Sequence, residues 1–268
     1  MKASTLVVTM GCDNYQLHKK MNIQTDCIIG NQTKNFSKKQ FKENGLLIEY
    51  LNTDTTGVGI NRNIVLMNSY SDVSILADDD IVFYDKYEEI VLNAYKQYPD
   101  ADVLIFSLKT KDDRYTEKKD KRVRFYNCLK YGAARFTFRT DRIKEKGIHF
   151  NVSFGGGSKY SNGEDSLFIM ECINKGLKVY SIAQIIGELD VDRESTWFNG
   201  YTNKFFVDKY RLYNVMTTKK LLSNILFFQD IFRHKKKYRK YNSALKFFFL
   251  IKKEFNKEER EKYCENKN

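Results

Sequence analysis

The chain has 268 residues, 42% of them hydrophobic and 30% charged, with a formal net charge of +12. That composition excludes a disordered chain, and the length suits one large α/β domain with an appendage. The charge is uneven: residues 219–268 hold 15 Lys/Arg against 6 Asp/Glu, a net of +9, and the other 218 residues carry +3. The basic character therefore belongs to the tail, which argues against a protein that binds nucleic acid throughout. Five scattered cysteines form no C-x-x-C and lie far in sequence from His18, His149 and His234, so neither a zinc site nor a disulfide framework is expected. No apolar run reaches membrane-span length, and Met1-Lys2 leads straight into a strand-like run, so a cytoplasmic chain without a signal peptide is expected.

Leu6 to Met10 reads as a first buried strand, Asp26 to Asn31 as a second and Leu46 to Leu51 as a third. Ile60, Ile64 and Met67 recur at i, i+4, i+7 and predict an amphipathic helix that Thr55 or Thr56 can cap. Val73 to Ala77 is a fourth strand. A helical stripe of Ile90, Val91, Ala94, Tyr95 and Tyr98 follows and stops at Pro99, the only proline. Val103 to Leu108 is a fifth strand, residues 109–124 an exposed loop or hairpin, and the region from Arg135 to Lys146 is mixed. Residues 154–158, Phe-Gly-Gly-Gly-Ser, mark a tight or flexible turn. Residues 163–176 read as a helix, Lys178 to Ile182 as the last strand, and the pattern turns helical from Lys204. Strands alternating with helices predict a mostly parallel α/β sheet of the doubly wound kind. The expected division is a catalytic domain over 1–202 and a basic, aromatic-rich helical extension over 203–268.

Three consecutive carboxylates, Asp78, Asp79 and Asp80, close the fourth strand. Open α/β sheets bind ligands at this edge. If the chain stays extended, Asp78 and Asp80 point the same way and make a hard oxygen site suited to Mg²⁺ or Mn²⁺. A solvated acidic turn is the plainer reading of the triplet alone. Upstream lies Thr55-Thr56-Gly57-Val58-Gly59-Ile60-Asn61-Arg62-Asn63, and downstream Asn162-Gly163-Glu164-Asp165 opens a helix.

In order and spacing, these three motifs resemble the family 2 glycosyltransferases of the GT-A fold, especially bacterial enzymes of capsular and surface-polysaccharide assembly. The resemblance covers residues 3 to about 183. It implies a metal-dependent, inverting transfer of a hexose (galactose, glucose or N-acetylhexosamine) from a UDP-sugar to a glycan or lipid-linked saccharide. By resemblance Asp80 binds the metal, Asp78 reaches the ribose or the metal through water, and Asp79 contacts the donor or points into the fold. Asp165 is the catalytic base, and Glu164 touches the acceptor. Arg62 matches the family arginine that approaches the nucleotide. The family usually has Pro-Thr after the first strand and an aspartate after the second. Here Thr9-Met10 and Gly30-Asn31-Gln32 stand there, so Thr9 and Asn31 are the residues expected to meet the nucleotide, Asn31 through an amide that can both donate and accept.

Trp197, the only tryptophan, lies in a segment that resembles one following the last core strand in related enzymes; it suits a sugar platform or plain core filling. The tail interleaves Leu, Ile and Phe with basic runs, which suits an anionic membrane surface, or helices packed on the domain or on a partner, a second copy of the chain included. The rival reading of the whole chain is a basic, non-enzymatic protein that docks nucleic acid or anionic surfaces through the tail. The aspartate triplet counts against it, because carboxylates repel phosphates unless a cation intervenes. No nucleic-acid partner is expected.

Overall fold

The computed structural model of the chain describes residues 1–111, 115–189, 200–217, 219–234 and 244–265. Two compact units are resolved, Met1–Lys159 with Glu164–Ser195, and Tyr160–Gly163 with Thr196–Asn268.

The first unit is built on one ten-stranded sheet. Its elements in chain order are β1 (Ala3–Met10), α1 (Leu17–Lys20), β2 (Asp26–Gln32), β3 (Ser37–Glu43), β4 (Leu46–Thr53), α2 (Val58–Asn68), β5 (Val73–Asp78), β6 (Ile81–Phe83), α3 (Tyr87–Gln97), β7 (Val103–Lys109) and β8 (Lys121–Arg122). Two 3-10 turns, Phe125–Lys130 and Ala133–Arg135, lead to β9 (Phe136–Arg139), α4 (Thr140–Glu145), α5 (Glu164–Asn174) and β10 (Val179–Leu189). The sheet order is β3-β4-β2-β1-β5-β9-β7-β10-β6, with β8 paired to β10. Strands β4, β2, β1, β5, β7 and β10 run one way and β3, β9, β6 and β8 the other. This is the mixed, mostly parallel α/β sheet expected. Its central strands are continuous apolar runs because both faces are covered: β1 is buried from Ala3 to Thr9, and β5 from Val73 to Ala77.

The departures from expectation have physical causes. β3 is missing from the sequence reading because Ser-Lys-Lys-Gln-Phe-Lys-Glu carries no apolar alternation; it is a charged edge strand, paired only with β4. β10 runs on to Leu189, well past Ile182, because irregularities in its pairing with β7 let it continue beside β6. Part of the 109–124 loop is β8, held against Tyr180 and Ser181. The mixed region resolves into β9, which runs antiparallel between β5 and β7, and the short α4. Helix α2 forms where expected, but its start is capped by neither threonine. Gly57, with φ 108°, stands at the N-cap, and the Val58 amide donates to Gly156 O at 2.9 Å. The buried side of α2 carries Gly59, Asn61, Arg62, Val65 and Leu66, while Met67 is exposed. The polar Asn61 and Arg62 turn inward because their partners lie at the strand ends.

The second unit contains α6 (Asn203–Met216), α7 (Lys220–Arg233) and α8 (Ala244–Glu265). Thr202 caps α6 by accepting from the Phe205 amide at 3.2 Å. The three helices close around an aromatic core in which Phe206 meets Phe247, Tyr210 meets Phe227, and Phe227 meets Phe248.

Candidate active site

Parallel pairing brings three strand ends together. In register, Thr9 of β1 lies opposite Asn31 of β2, and Val8 opposite Asp78 of β5. Helix α2 is pinned across this edge by Asn61, whose Nδ2 donates to Gly30 O at 2.8 Å and to Thr9 O at 3.2 Å. The approach is so close that a Cβ on Gly30 would stand 2.2 Å from Asn61 Oδ1, so only glycine fits there.

Arg62, one residue further along α2, joins two motifs that are far apart in sequence. Its Nη2 donates to Asp78 Oδ1 at 2.8 Å and its Nη1 to Glu164 Oε1 at 2.7 Å. The side chain is 4% exposed, and it stacks over the Phe150 ring at 5.5 Å. Burial alone would lower its pKa, but the charges of Asp78 and Glu164 outweigh burial and hold the guanidinium above its ordinary value. Arg62 is therefore a permanent cation shared by a strand-end carboxylate and a helix-start carboxylate. The glycine-rich turn is fitted to the same group: Gly155 has φ 102°, and a Cβ there would meet Glu164 Oε2 at 2.6 Å and Val58 Cγ1 at 2.7 Å.

Asp165 opens α5, and its Oδ1 accepts the Ser166 amide at 2.6 Å. Burial, and after it the charge of Glu164, push the Asp165 carboxyl up to about 7; the Ser166 amide and Arg62 oppose this and lose. A carboxylate poised near neutrality is what general-base work needs. Asp79 follows β5 in the turn, where its Oδ2 accepts from Thr9 Oγ1 at 2.5 Å. Asp80 occupies the same turn, half-buried, ahead of β6.

Beside Thr9 and Asp79 lies a cleft of about 280 Å³, lined also by Cys12, Asp13, Asn14, Gln16 and Lys20. Asn31 does not line it. It is buried, with Nδ2 donating to Cys12 O at 2.8 Å and to Asn52 Oδ1 at 2.9 Å, and with Oδ1 accepting the Cys12 amide at 3.0 Å. Asn31 thus shapes the loop that borders the cleft. The structure brings together Thr9, Arg62, Asp78, Asp79, Asp80, Glu164 and Asp165 at one edge of the sheet. Trp197 lies outside the described residues. Sequence reasoning passes over Asn61 and Lys20; Asn61 sits in the quoted motif beside Arg62, and its buried position in α2 was the signal, while nothing local marks Lys20.

The donor set at this edge suits a hard divalent cation. Among the described residues no group of three or more His, Cys, Asp and Glu is arranged to hold a metal ion by itself. Asp78 and Asp80 could supply one or two carboxylate oxygens, with substrate phosphates and water completing the shell, which is how Mg²⁺ is commonly held. Arg62 already occupies Asp78 Oδ1.

Residues 30–161 match the model of Glycosyl transferase family 2. The fold matches solved structures of S. aureus TarS. For residues 1–349 of TarS the TM-score is 0.58 at 14% identity, covering 87% of this chain and 72% of that one. For the same TarS segment in complex with UDP-GlcNAc the TM-score is 0.62, with the same identity and coverage. Against the longer TarS structure the score is 0.58 at 15% identity, and this chain spans 43% of that one. No curated protein sequence matches the chain. The fold is GT-A, and residues 30–161 form a glycosyltransferase family 2 domain. It is an enzyme that transfers a glycosyl group.

Proposed function

We propose that this glycosyltransferase is a metal-dependent, inverting hexosyltransferase that uses a UDP-sugar and extends a lipid-linked glycan in bacterial surface-polysaccharide assembly, at the inner face of the cell membrane. The observation that carries the reading is the double ion pair of Arg62, which ties the donor-side Asp78 to the acceptor-side Glu164. The chemistry is assigned to residues 1–202, and residues 203–268 serve as a surface extension.

In this reading the uridine occupies the cleft beside β1, with Thr9 and Asp79 at its floor and the loop held by Asn31 as its wall. UDP-GlcNAc, present in one TarS structure, is the first donor to try. A divalent cation, Mn²⁺ or Mg²⁺, would be held by Asp80, with Asp78 through its remaining oxygen, and would supply Lewis-acid stabilisation of the departing diphosphate. Glu164, fixed by Arg62, orients the acceptor. Asp165 removes the proton from the acceptor hydroxyl as its oxygen bonds to the anomeric carbon. The bond from that carbon to the β-phosphate oxygen breaks, and UDP leaves with the electron pair. One displacement without a covalent intermediate inverts the anomeric configuration. The test is a screen of UDP-sugars for Mn²⁺-dependent hydrolysis, followed by determination of product stereochemistry. A retained configuration, or turnover undiminished by chelation, overturns the reading.

A further inference from the structure

The helical unit sorts its many apolar side chains into two sets. In α7, Ser223, Phe227 and Ile231 form the buried seam at i, i+4, i+8. On the other side of the same helix, Leu221, Ile225, Phe228 and Phe232 follow at i, i+4, i+7, i+11, one continuous stripe. Leu221 is 74% exposed and Phe232 69%. Phe228 borders Phe248 of α8 at 6.0 Å between ring centroids, and Phe249, next to the buried Phe248 in sequence, is exposed on α8. Phe228 and Phe232, with Gln229 and Arg233, also line a shallow depression of about 500 Å³. A surface with this many large apolar groups in line marks an interaction site.

Charge identifies the partner. Acidic groups of this unit are drawn into internal ion pairs: Asp208 with Lys204 at 2.7 Å, Asp230 with Lys209 at 2.9 Å, and Glu258 with Arg211 at 2.8 Å. Lys219, Lys220, Arg233 and Lys253 are exposed and make no ion pair among the described residues. Arg233 lines the depression beside Phe228 and Phe232, and Lys219 and Lys220 stand at the start of α7 just ahead of Leu221, so positive charge borders the stripe at both ends of the helix. A second copy of the chain would bring one basic rim against another, whereas a sheet of anionic headgroups complements the rim as acyl chains accept the stripe. No helix is long and apolar enough among the described residues to cross a bilayer.

We infer that the outer face of α7 with the adjoining turn of α8 is an anionic-bilayer docking surface, inserted at the headgroup level through Leu221, Ile225, Phe232 and Phe249. This deepens the membrane placement proposed above and rests on it only for the choice of an anionic leaflet.

The test uses full-length protein and vesicles of phosphatidylglycerol and phosphatidylcholine, compared with phosphatidylcholine alone. Co-sedimentation is measured at low and at high salt, because the charged contribution is screened. The wild type is expected to partition onto the anionic vesicles and to release as salt rises. The triple variant Leu221→Gln/Ile225→Gln/Phe232→Gln is expected to bind about tenfold more weakly, and Arg233→Glu/Lys253→Glu to lose binding mainly at low salt. Both should keep donor hydrolysis and melting temperature. Met67→Gln, an exposed apolar residue of the other unit, should bind as wild type. If the wild type ignores anionic vesicles at low salt, the membrane placement falls and this surface with it. If the wild type binds and the triple variant binds equally, the placement stands and this surface is wrong. If the triple variant instead converts a dimer to a monomer with no change in vesicle binding, the face joins two copies, and the inference is overturned.

Discussion

The two units differ in where they leave charge. In the α/β unit charge is drawn inward: Arg62, 4% exposed, lies between Asp78 and Glu164, and Asp165 is held beside them with a raised pKa. In the helical unit Asp208 and Arg211 are buried and paired as well, but the rest of the interior is aromatic, and Lys219, Lys220, Arg233 and Lys253 are left exposed on the surface. Burying a charge is costly unless partners compensate it, so a fold that does so at a ligand-binding edge has a use for it. A surface charge costs almost nothing in stability and acts at longer range on whatever approaches. The first arrangement suits chemistry on a bound molecule and the second suits docking.

Removing the shared cation should break the α/β side of this contrast most severely. Arg62→Met leaves the buried Glu164 and the half-buried Asp78 facing each other unpaired. A loss of about 3 kcal/mol in unfolding free energy is expected from denaturant titration, with transfer activity lost in the same variant. Arg62→Lys restores the charge but not the fork that reaches both carboxylates. It should recover much of the stability and little of the activity. Equal recovery of both would reduce Arg62 to a structural counter-ion.

Next in size is the base. Asp165→Asn should keep UDP-sugar binding and lower kcat by roughly 10² or more. In the wild type kcat should rise with pH through about 7, because only the ionised carboxylate can accept the acceptor proton. A flat pH profile between about 5.5 and 8.5 would assign the proton to another group. A smaller effect is expected at the donor edge. Asp80→Ala should weaken Mn²⁺-assisted UDP binding by about tenfold, read by calorimetry, and leave metal-free binding nearly unchanged. Undiminished Mn²⁺-assisted affinity would remove Asp80 from the metal site.

The legibility of these features in the sequence follows the same contrast. The central strands could be read because burial on both faces forces continuous apolar runs, as in Val73 to Ala77. The edge strand β3 could not, since an edge in solvent selects for lysine and glutamine. The aspartate triplet and the Glu164-Asp165 pair were visible as local patterns of charge. Their connection through Arg62 was not, because residues 62, 78 and 164 become neighbours only through parallel strand pairing and the approach of α5. For the same reason Asn31 looked like a residue aimed at a nucleotide, although its amide is spent on Cys12 and Asn52. In the tail, composition gave charge and aromaticity but not the division between seam and stripe. Both Phe227 and Phe232 lie in helical spacing, and only packing separates the buried ring from the exposed one.

The smallest expected effect concerns stability alone. Asp165 has a folded-state pKa raised to about 7, against about 3.9 for an unperturbed aspartate. Between those values the folded protein holds a proton that the unfolded chain has released, so stability falls as pH rises through this window. Below about pH 4 both states are protonated at this group, and above about pH 7 the full penalty of the buried carboxylate is present. Asp165→Asn removes the titration, so the variant should melt near the wild type at about pH 4 and increasingly above it as pH rises to about 8. A gap of about 2–4 °C would correspond to roughly 1 kcal/mol in a domain of this size. Such a variant would be more stable and nearly inactive, which is the signature of a group held under strain for its chemistry. A wild type that melts at the same temperature as Asp165→Asn across the whole range would mean that the carboxyl is not raised, and that the α/β unit buries its charge at no cost.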